Sequence, residues 1–134
     1  TLTLVGDGKE RKSIEKLAKK LKVQDRLKIT GFTNDVYSYL KSTDIYVCAS
    51  TIEGLPFNIM EAMHQSLPIV ASNIKGNRDL LSSENLYQLN NIDEFVSKIK
   101  SANLSRREYN IEKYRIENVL SENMKIYLSF IKNQ

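Results

Sequence analysis

The stretch from Ser50 to Ala71, S-T-I-E-G-L-P-F-N-I-M-E-A-M-H-Q-S-L-P-I-V-A, constrains the fold more than any other part of the chain. Ahead of it, Asp44 to Ala49 reads as a strand, apolar nearly throughout. A short loop then leads into a helix opened by Pro56 and running to about Gln65. Pro68 to Ser72 is the next strand. Continuous apolar runs of this kind suit a parallel sheet covered on both faces. Two carboxylates, Glu53 and Glu61, sit on either side of the helix start with seven residues between them.

The rest of the chain repeats the alternation. Thr1 to Val5 is a strand ending in Gly6-Asp7-Gly8, and Leu27 to Thr30 is a second, stopped by Gly31. Between them Ile14, Leu17, Ala18 and Leu21 recur at helical steps. Asn34 or Asp35 can cap a short helix carrying Val36, Tyr39 and Leu40. Gly76 to Leu81 reads as a short helix or turn, Leu86 to Leu89 as a fifth strand, and Ile92 to Ala102 as a helix with Asp93 and Glu94 in its first turn. Ser105 to Ile131 is expected to be helical, with a break near Tyr109-Asn110 and Val119, Leu120, Met124, Tyr127, Leu128 and Ile131 on its apolar face. Strands alternating with helices predict an α/β fold, a Rossmann-like parallel sheet with helices on both faces. Residues 1–134 read as one domain, with a core over 1–104 and a helical tail over 105–134.

Charge and composition narrow the function. No apolar run approaches the ~20 residues of a membrane helix. A single cysteine, Cys48, cannot form an internal disulfide and reads as a small core residue. The net charge is +4, with lysines 9, 12, 16, 19, 20 and 22 in one segment. That segment reads as the solvated face of a helix, with an anionic membrane surface or a phosphorylated ligand as the functional alternative. Basic residues interleaved with exposed aromatics, the pattern expected for nucleic-acid binding, are missing, so no nucleic-acid partner is expected.

Ligands of parallel α/β folds bind at the carboxyl ends of the strands. Gly6-x-Gly8 suggests a dinucleotide fingerprint, but the third glycine position holds Arg11, and no acidic residue closes the next strand. There is no Walker loop, no paired His/Cys metal spacing and no nucleophile elbow; His64 stands alone and reads as a surface or interface residue rather than a ligand. In the loop from Glu53 to Asn58, Gly54 allows close backbone approach, and Pro56 suits the first helical position. The amides of Phe57, Asn58 and Ile59 would then be free at a helix N-terminus, a natural phosphate site. Two carboxylates facing a diphosphate would repel it; they fit instead as acceptors for sugar hydroxyls on either side. Spacing alone leaves that reading level with a plainer one, in which Glu53 is a loop surface residue and Glu61 an exposed helix residue.

E-G-L-P-F-N-I-M-E-A-M followed by L-P-I-V-A resembles the E-x7-E segment of retaining glycosyltransferases of family 4, which have the GT-B fold. L-V-G-D-G, D-I-Y-V-C-A-S-T and I-K-G-N-R-D-L resemble that family's second C-domain strand and loop, the strand before the E-x7-E segment, and the glycine loop after it. The resemblance covers roughly residues 1–100. It implies the C-terminal, nucleotide-sugar-binding half of a two-domain enzyme that transfers a sugar with retention and without a catalytic metal or other cofactor. Glu53 would contact the donor hexose as the catalytic residue. Glu61 would hold the ribose, and the amides from Gly54 through Leu55, Pro56 and Phe57 to Asn58 would hold the phosphates. Gly31, Phe32 and Thr33 would lie near the base, and Gly6 and Gly8 would form the first glycine loop.

The same resemblance implies features outside this chain. The family's first C-domain strand, the Arg and Lys after it, and the N-terminal acceptor domain would precede Thr1; Lys9, Lys75 and Arg78 are the substitutes within the chain. Leu2–Val5 and Ile45–Ala49 are therefore expected either to pair directly or to leave a gap filled by another chain. Ser66, Lys75-Gly76 and Asp79 depart from the usual glycine, double glycine and glutamate. The implied setting is cytoplasmic, with peripheral contact at the inner face of the membrane, in surface polysaccharide or glycoconjugate synthesis; the isolated chain is expected to bind donor weakly and to transfer nothing. Two alternatives are a non-catalytic binding or assembly module of the same fold and a GT-B sugar-nucleotide epimerase.

Overall fold

Parallel strand pairs joined by helical crossovers build the chain. The computed structural model describes residues 1–132, apart from the side chains of residues 126, 127 and 129–132. The chain divides into two units, Thr1–Ser42 and Thr43–Gln134.

In the first unit, β1 (Leu2–Leu4) pairs in parallel with β2 (Leu27–Ile29), with Leu2 opposite Leu27 and Leu4 opposite Ile29. The crossover is α1 (Arg11–Lys20), which buries Ala18 and closes on a Schellman motif. Val23 N donates to Ala18 O at 2.9 Å and Lys22 N to Lys19 O at 3.0 Å, with Lys22 at φ 57°. The helix α2 (Val36–Lys41) is capped by Asp35, whose carboxylate accepts from Ser38 N at 3.2 Å.

In the second unit, β3 (Tyr46–Cys48), β4 (Ile69–Ser72) and β5 (Leu86–Tyr87) form a parallel sheet in that order. The crossover from β3 to β4 is α3 (Phe57–His64); α4 (Lys75–Arg78) follows β4, and α5 (Ile92–Ser101) follows β5. Every residue of β4 is buried, as its continuous apolar run requires. Ile59, Ala62 and Met63 form the buried stripe of α3, and Cys48 is buried beside them in the core. A fully buried Ile or Leu such as Ile59 or Leu67 contributes about 1.5–3 kcal/mol. Tyr87 and Phe95 pack ring to ring at 4.7 Å, fastening α5 to β5.

One expectation changes. The tail is not helical from Ser105: it runs irregularly to a 3-10 turn at Glu112–Tyr114, and α6 spans Ile116–Lys132. The reason is a set of hydrogen bonds to the carbonyls that close α3. Arg106 Nη1 reaches Gln65 O at 2.7 Å, Arg107 N reaches Ser66 O at 2.8 Å, and Tyr109 Oη reaches Leu67 O at 2.8 Å. An extended segment can reach those acceptors while a helix would spend its amides internally. Val119, Leu120, Met124 and Leu128 of α6 are exposed, and the expectations for Tyr127 and Ile131 lie outside the described residues. Among the described residues, no helix is long and apolar enough to cross a membrane.

Candidate functional site

Glu53 lies on the loop between β3 and α3, where no regular backbone ladder holds it. Its side chain is held instead by Ser50, whose hydroxyl donates to Glu53 Oε1 at 2.7 Å. Ser50 is fixed in turn from β4: Ser72 Oγ donates to Ser50 O at 2.5 Å. Ser72 is fully buried and receives Asn77 Nδ2 on both its carbonyl, at 2.8 Å, and its hydroxyl, at 3.2 Å. Glu53 thus stands half-buried at the carboxyl end of the sheet, at the end of a chain of donors running from α4 through β4 and the β3 terminus. A hydrogen bond to a carboxylate is worth about 1.5–3 kcal/mol, enough to select one side-chain geometry.

The helix that follows starts one residue later than expected. Pro56 has φ −77° and ψ 90° and occupies the N-cap, not the first helical position; its carbonyl accepts from Ile59 N at 3.1 Å and Met60 N at 3.2 Å. The ψ value is extended because the chain must turn out of the loop before the helix begins. The Ile59 amide is not free, since Asn58 Oδ1 also takes it at 2.8 Å. The amides of Gly54, Leu55, Phe57 and Asn58 have no partner among the described residues. They form a donor-rich helix entrance with the positive end of the α3 dipole behind it, which favours an anion.

Glu61 lies in the second turn of α3 and is exposed. Tyr46 of β3 ties the two carboxylates together electrostatically. Its hydroxyl is pushed well above the usual tyrosine value, first by burial, then by the neighbouring Cys48, Glu61 and Glu53; a hydrogen bond with the Asn58 side chain pulls the other way. A neutral phenol therefore sits within the field of both glutamates. Tyr46 was not a candidate on sequence grounds because it is one more apolar-looking residue in a strand.

The loop after β4 closes on the same place. A Cβ on Gly76 would stand 2.6 Å from Glu53 O and 2.8 Å from Gly54 O, so α4 abuts the Glu53–Gly54 peptide directly. Space for a Cβ is open at Gly54 itself, so the position that requires a glycine is 76. The two candidate cations of this loop are engaged: Lys75 Nζ pairs with Asp79 at 2.8 Å, and Arg78 Nη1 donates to Asn73 O and Oδ1 at 3.2 and 3.1 Å. Ser66, where the resemblance leads one to expect glycine, has φ 57° and closes α3 on a Schellman motif, Leu67 N to Ala62 O at 3.1 Å and Ser66 N to Met63 O at 2.9 Å. His64 is exposed.

The remaining candidates belong to the first unit. Gly6 (φ +130°) and Gly31 (φ +74°) form a bridge in which Gly6 N donates to Gly31 O at 3.1 Å. Asp7 accepts from Gly8 N at 2.8 Å and pairs with Arg11 at 3.0 Å. Phe32 is 90% exposed, and Thr33 Oγ1 accepts from Asp35 N at 3.1 Å. Gly6, Gly8, Gly31, Phe32 and Thr33 therefore cluster at the carboxyl ends of β1 and β2, as Glu53 to Asn58 and Glu61 do around the end of β3.

In the second unit, loops at the carboxyl ends of parallel strands, one of them an amide-lined helix entrance flanked by carboxylates, make a Rossmann-like arrangement of the ligand-binding kind. The chain belongs to the family described as glycosyl transferases group 1, whose family model matches residues 1–119. It is 42% identical over 99 residues to an uncharacterized glycosyltransferase of Haemophilus influenzae, covering 71% of this chain and 28% of that protein. It is 36% identical over 98 residues to the Escherichia coli UDP-Gal:alpha-D-GlcNAc-diphosphoundecaprenol alpha-1,3-galactosyltransferase, covering 70% of this chain and 25% of that protein. The chain thus spans between about a quarter and a third of these relatives. The crystal structure of Anabaena Alr3699/HepE in complex with UDP-glucose superposes with a TM-score of 0.73 at 23% identity, covering 98% of this chain and 41% of that one. The fold matches a Rossmann-like part of the GT-B glycosyltransferases.

Proposed function

We propose that this chain is the donor-binding, C-terminal part of a retaining glycosyltransferase of family 4 that uses a nucleotide-diphosphate sugar. The observation that carries the reading is the helix entrance itself: four unpaired amides ahead of and within the first turn of α3, with the oriented Glu53 carboxylate beside them. The diphosphate binds those amides. Glu53 accepts from a hexose hydroxyl and Glu61 accepts from the ribose hydroxyls. During transfer the anomeric carbon–oxygen bond to the diphosphate breaks, the bond to the acceptor oxygen forms on the same face, and the acceptor proton leaves with the diphosphate. Amides aimed at the departing phosphate stabilise charge where it develops. Glu53 holds the sugar ring so that the leaving bond stays over them.

The acceptor is bound by an N-terminal domain, and transfer needs both parts, so the isolated chain binds donor without turning it over. No cofactor enters the reading, and transfer by the assembled enzyme is expected to survive chelation of divalent metals. Relatives named as a lipopolysaccharide core biosynthesis glycosyltransferase and as a diphosphoundecaprenol-linked GlcNAc galactosyltransferase support a role in surface glycoconjugate assembly; the cytoplasmic side of the membrane is the setting we propose. Peripheral membrane contact fits α1 and its C-cap, where exposed Leu17 and Leu21 stand among exposed lysines; vesicles with and without anionic lipid separate that contact from simple solvation.

The experiment is a titration of nucleoside diphosphates and their sugar conjugates into the folded chain, following the backbone amides of residues 53–61. Shifts centred on Gly54, Leu55, Phe57 and Asn58 are expected. An unperturbed loop at millimolar ligand removes the binding claim for this chain.

A further inference from the structure

Asn77 is fully buried in the second unit, yet its side-chain Oδ1 has no hydrogen-bond partner among the described residues. An orphaned buried carbonyl carries a desolvation cost that an apolar residue of the same shape would avoid. The compensating contribution of Asn77 is therefore at its other atom. Nδ2 donates to both oxygens of Ser72, at 2.8 Å to the carbonyl and 3.2 Å to the hydroxyl.

That contact sets a direction. Ser72 Oγ, already accepting from Asn77, turns its proton to Ser50 O. Ser50 is thereby held from the neighbouring strand, and its own hydroxyl proton is aimed at Glu53 Oε1. The chain ends on a carboxylate, which only accepts. Gly76, next to Asn77, abuts the Glu53 and Gly54 carbonyls. One oxygen of Glu53 is thus occupied, while Oε2 has no partner among the described residues.

We infer that Ser50, Ser72 and Asn77 are positioning residues that lock the Glu53 carboxylate in one rotamer, with Oε2 left as the atom that accepts from a donor-sugar hydroxyl. This rests on the donor reading for the role of Oε2. The locking does not depend on it.

The test has two arms on the same protein. Three-bond couplings across χ1 and χ2 of Glu53 report its rotamer without ligand. A single rotamer is expected in the wild type, averaging in Ser50→Ala and Ser72→Ala, and recovery in Ser50→Thr, which keeps the hydroxyl. Asn77→Ala is a harsher change that can unfold the loop, so the serine variants decide. In the second arm UDP and UDP-glucose are titrated into each variant. Ser50→Ala is expected to leave UDP affinity unchanged and to bring UDP-glucose to within about twofold of UDP. A single Glu53 rotamer in Ser50→Ala, with UDP-glucose binding intact, overturns the positioning claim. Failure of the wild type to bind either ligand while the couplings behave as expected overturns the donor role and leaves the locking intact.

Discussion

Gly76 meets the carbonyl of Glu53 with no room for a side chain between them: a Cβ there would lie 2.6 Å from the oxygen. The obstacle is backbone, which cannot swing aside as a side-chain tip can. Gly76→Ala is therefore expected to displace the Glu53–Gly54 peptide and to destabilise the fold by about 1–3 kcal/mol, the usual range for overpacking. Chemical denaturation measures the loss, and amide shifts at residues 53–55 locate it. An alanine variant with wild-type stability and unshifted amides would contradict the contact.

Ser66 sits in the left-handed region at φ 57°, where a side chain costs roughly 1 kcal/mol. Ser66→Gly relieves that strain and keeps both Schellman bonds, whose donors and acceptors are backbone. The substitution is expected to raise stability by up to about 1 kcal/mol, reduced by the extra freedom glycine gains in the unfolded chain. A thermal melt read at the loss of α3 helicity checks it.

Tyr46 loses its proton later in the folded protein than in the unfolded chain, because burial and nearby negative charge disfavour the phenolate. A raised folded value means the stabilising contribution is complete below about pH 10 and is lost as pH climbs from there toward the folded value. Tyr87 and Tyr109 shift in the same direction, both chiefly through burial. Phenolate absorbance should show these three ionising above the usual tyrosine range, coincident with alkaline unfolding. In Tyr46→Phe the loss of stability above pH 10 should become shallower; an unchanged slope would contradict the upward shift that burial, first of all, imposes on Tyr46.

The parts of this architecture that sequence makes legible are those with one-dimensional signatures. Continuous apolar runs mark β3 and β4, Asp35 marks the start of α2, and the i, i+3, i+4 stripe of Ile59, Ala62 and Met63 marks α3. The carboxylates on either side of Pro56 were visible for the same reason. What could not be read depends on residues far apart in the chain. Ser50 and Ser72 meet across 22 positions, and Tyr109 reaches Leu67 across 42, which is why the tail is extended where its composition suggested helix. Pro56 was misplaced by one position because proline suits both sides of a helix entrance, and only the ψ of 90° decides between them. Asn77 lies in a short polar segment where nothing in one dimension marks its burial.

The division of labour between Glu53 and Glu61 is the central claim, and one comparison tests it most directly. UDP and UDP-glucose are titrated into the wild type, Glu53→Ala and Glu61→Ala, with dissociation constants taken from the amides of residues 54–58. Glu61→Ala should weaken both ligands by a similar factor, roughly tenfold for lost hydrogen bonds to a carboxylate. Glu53→Ala should leave UDP unchanged and erase the advantage of UDP-glucose. Equal losses on both ligands in both variants would contradict the assignment of hexose to Glu53 and ribose to Glu61.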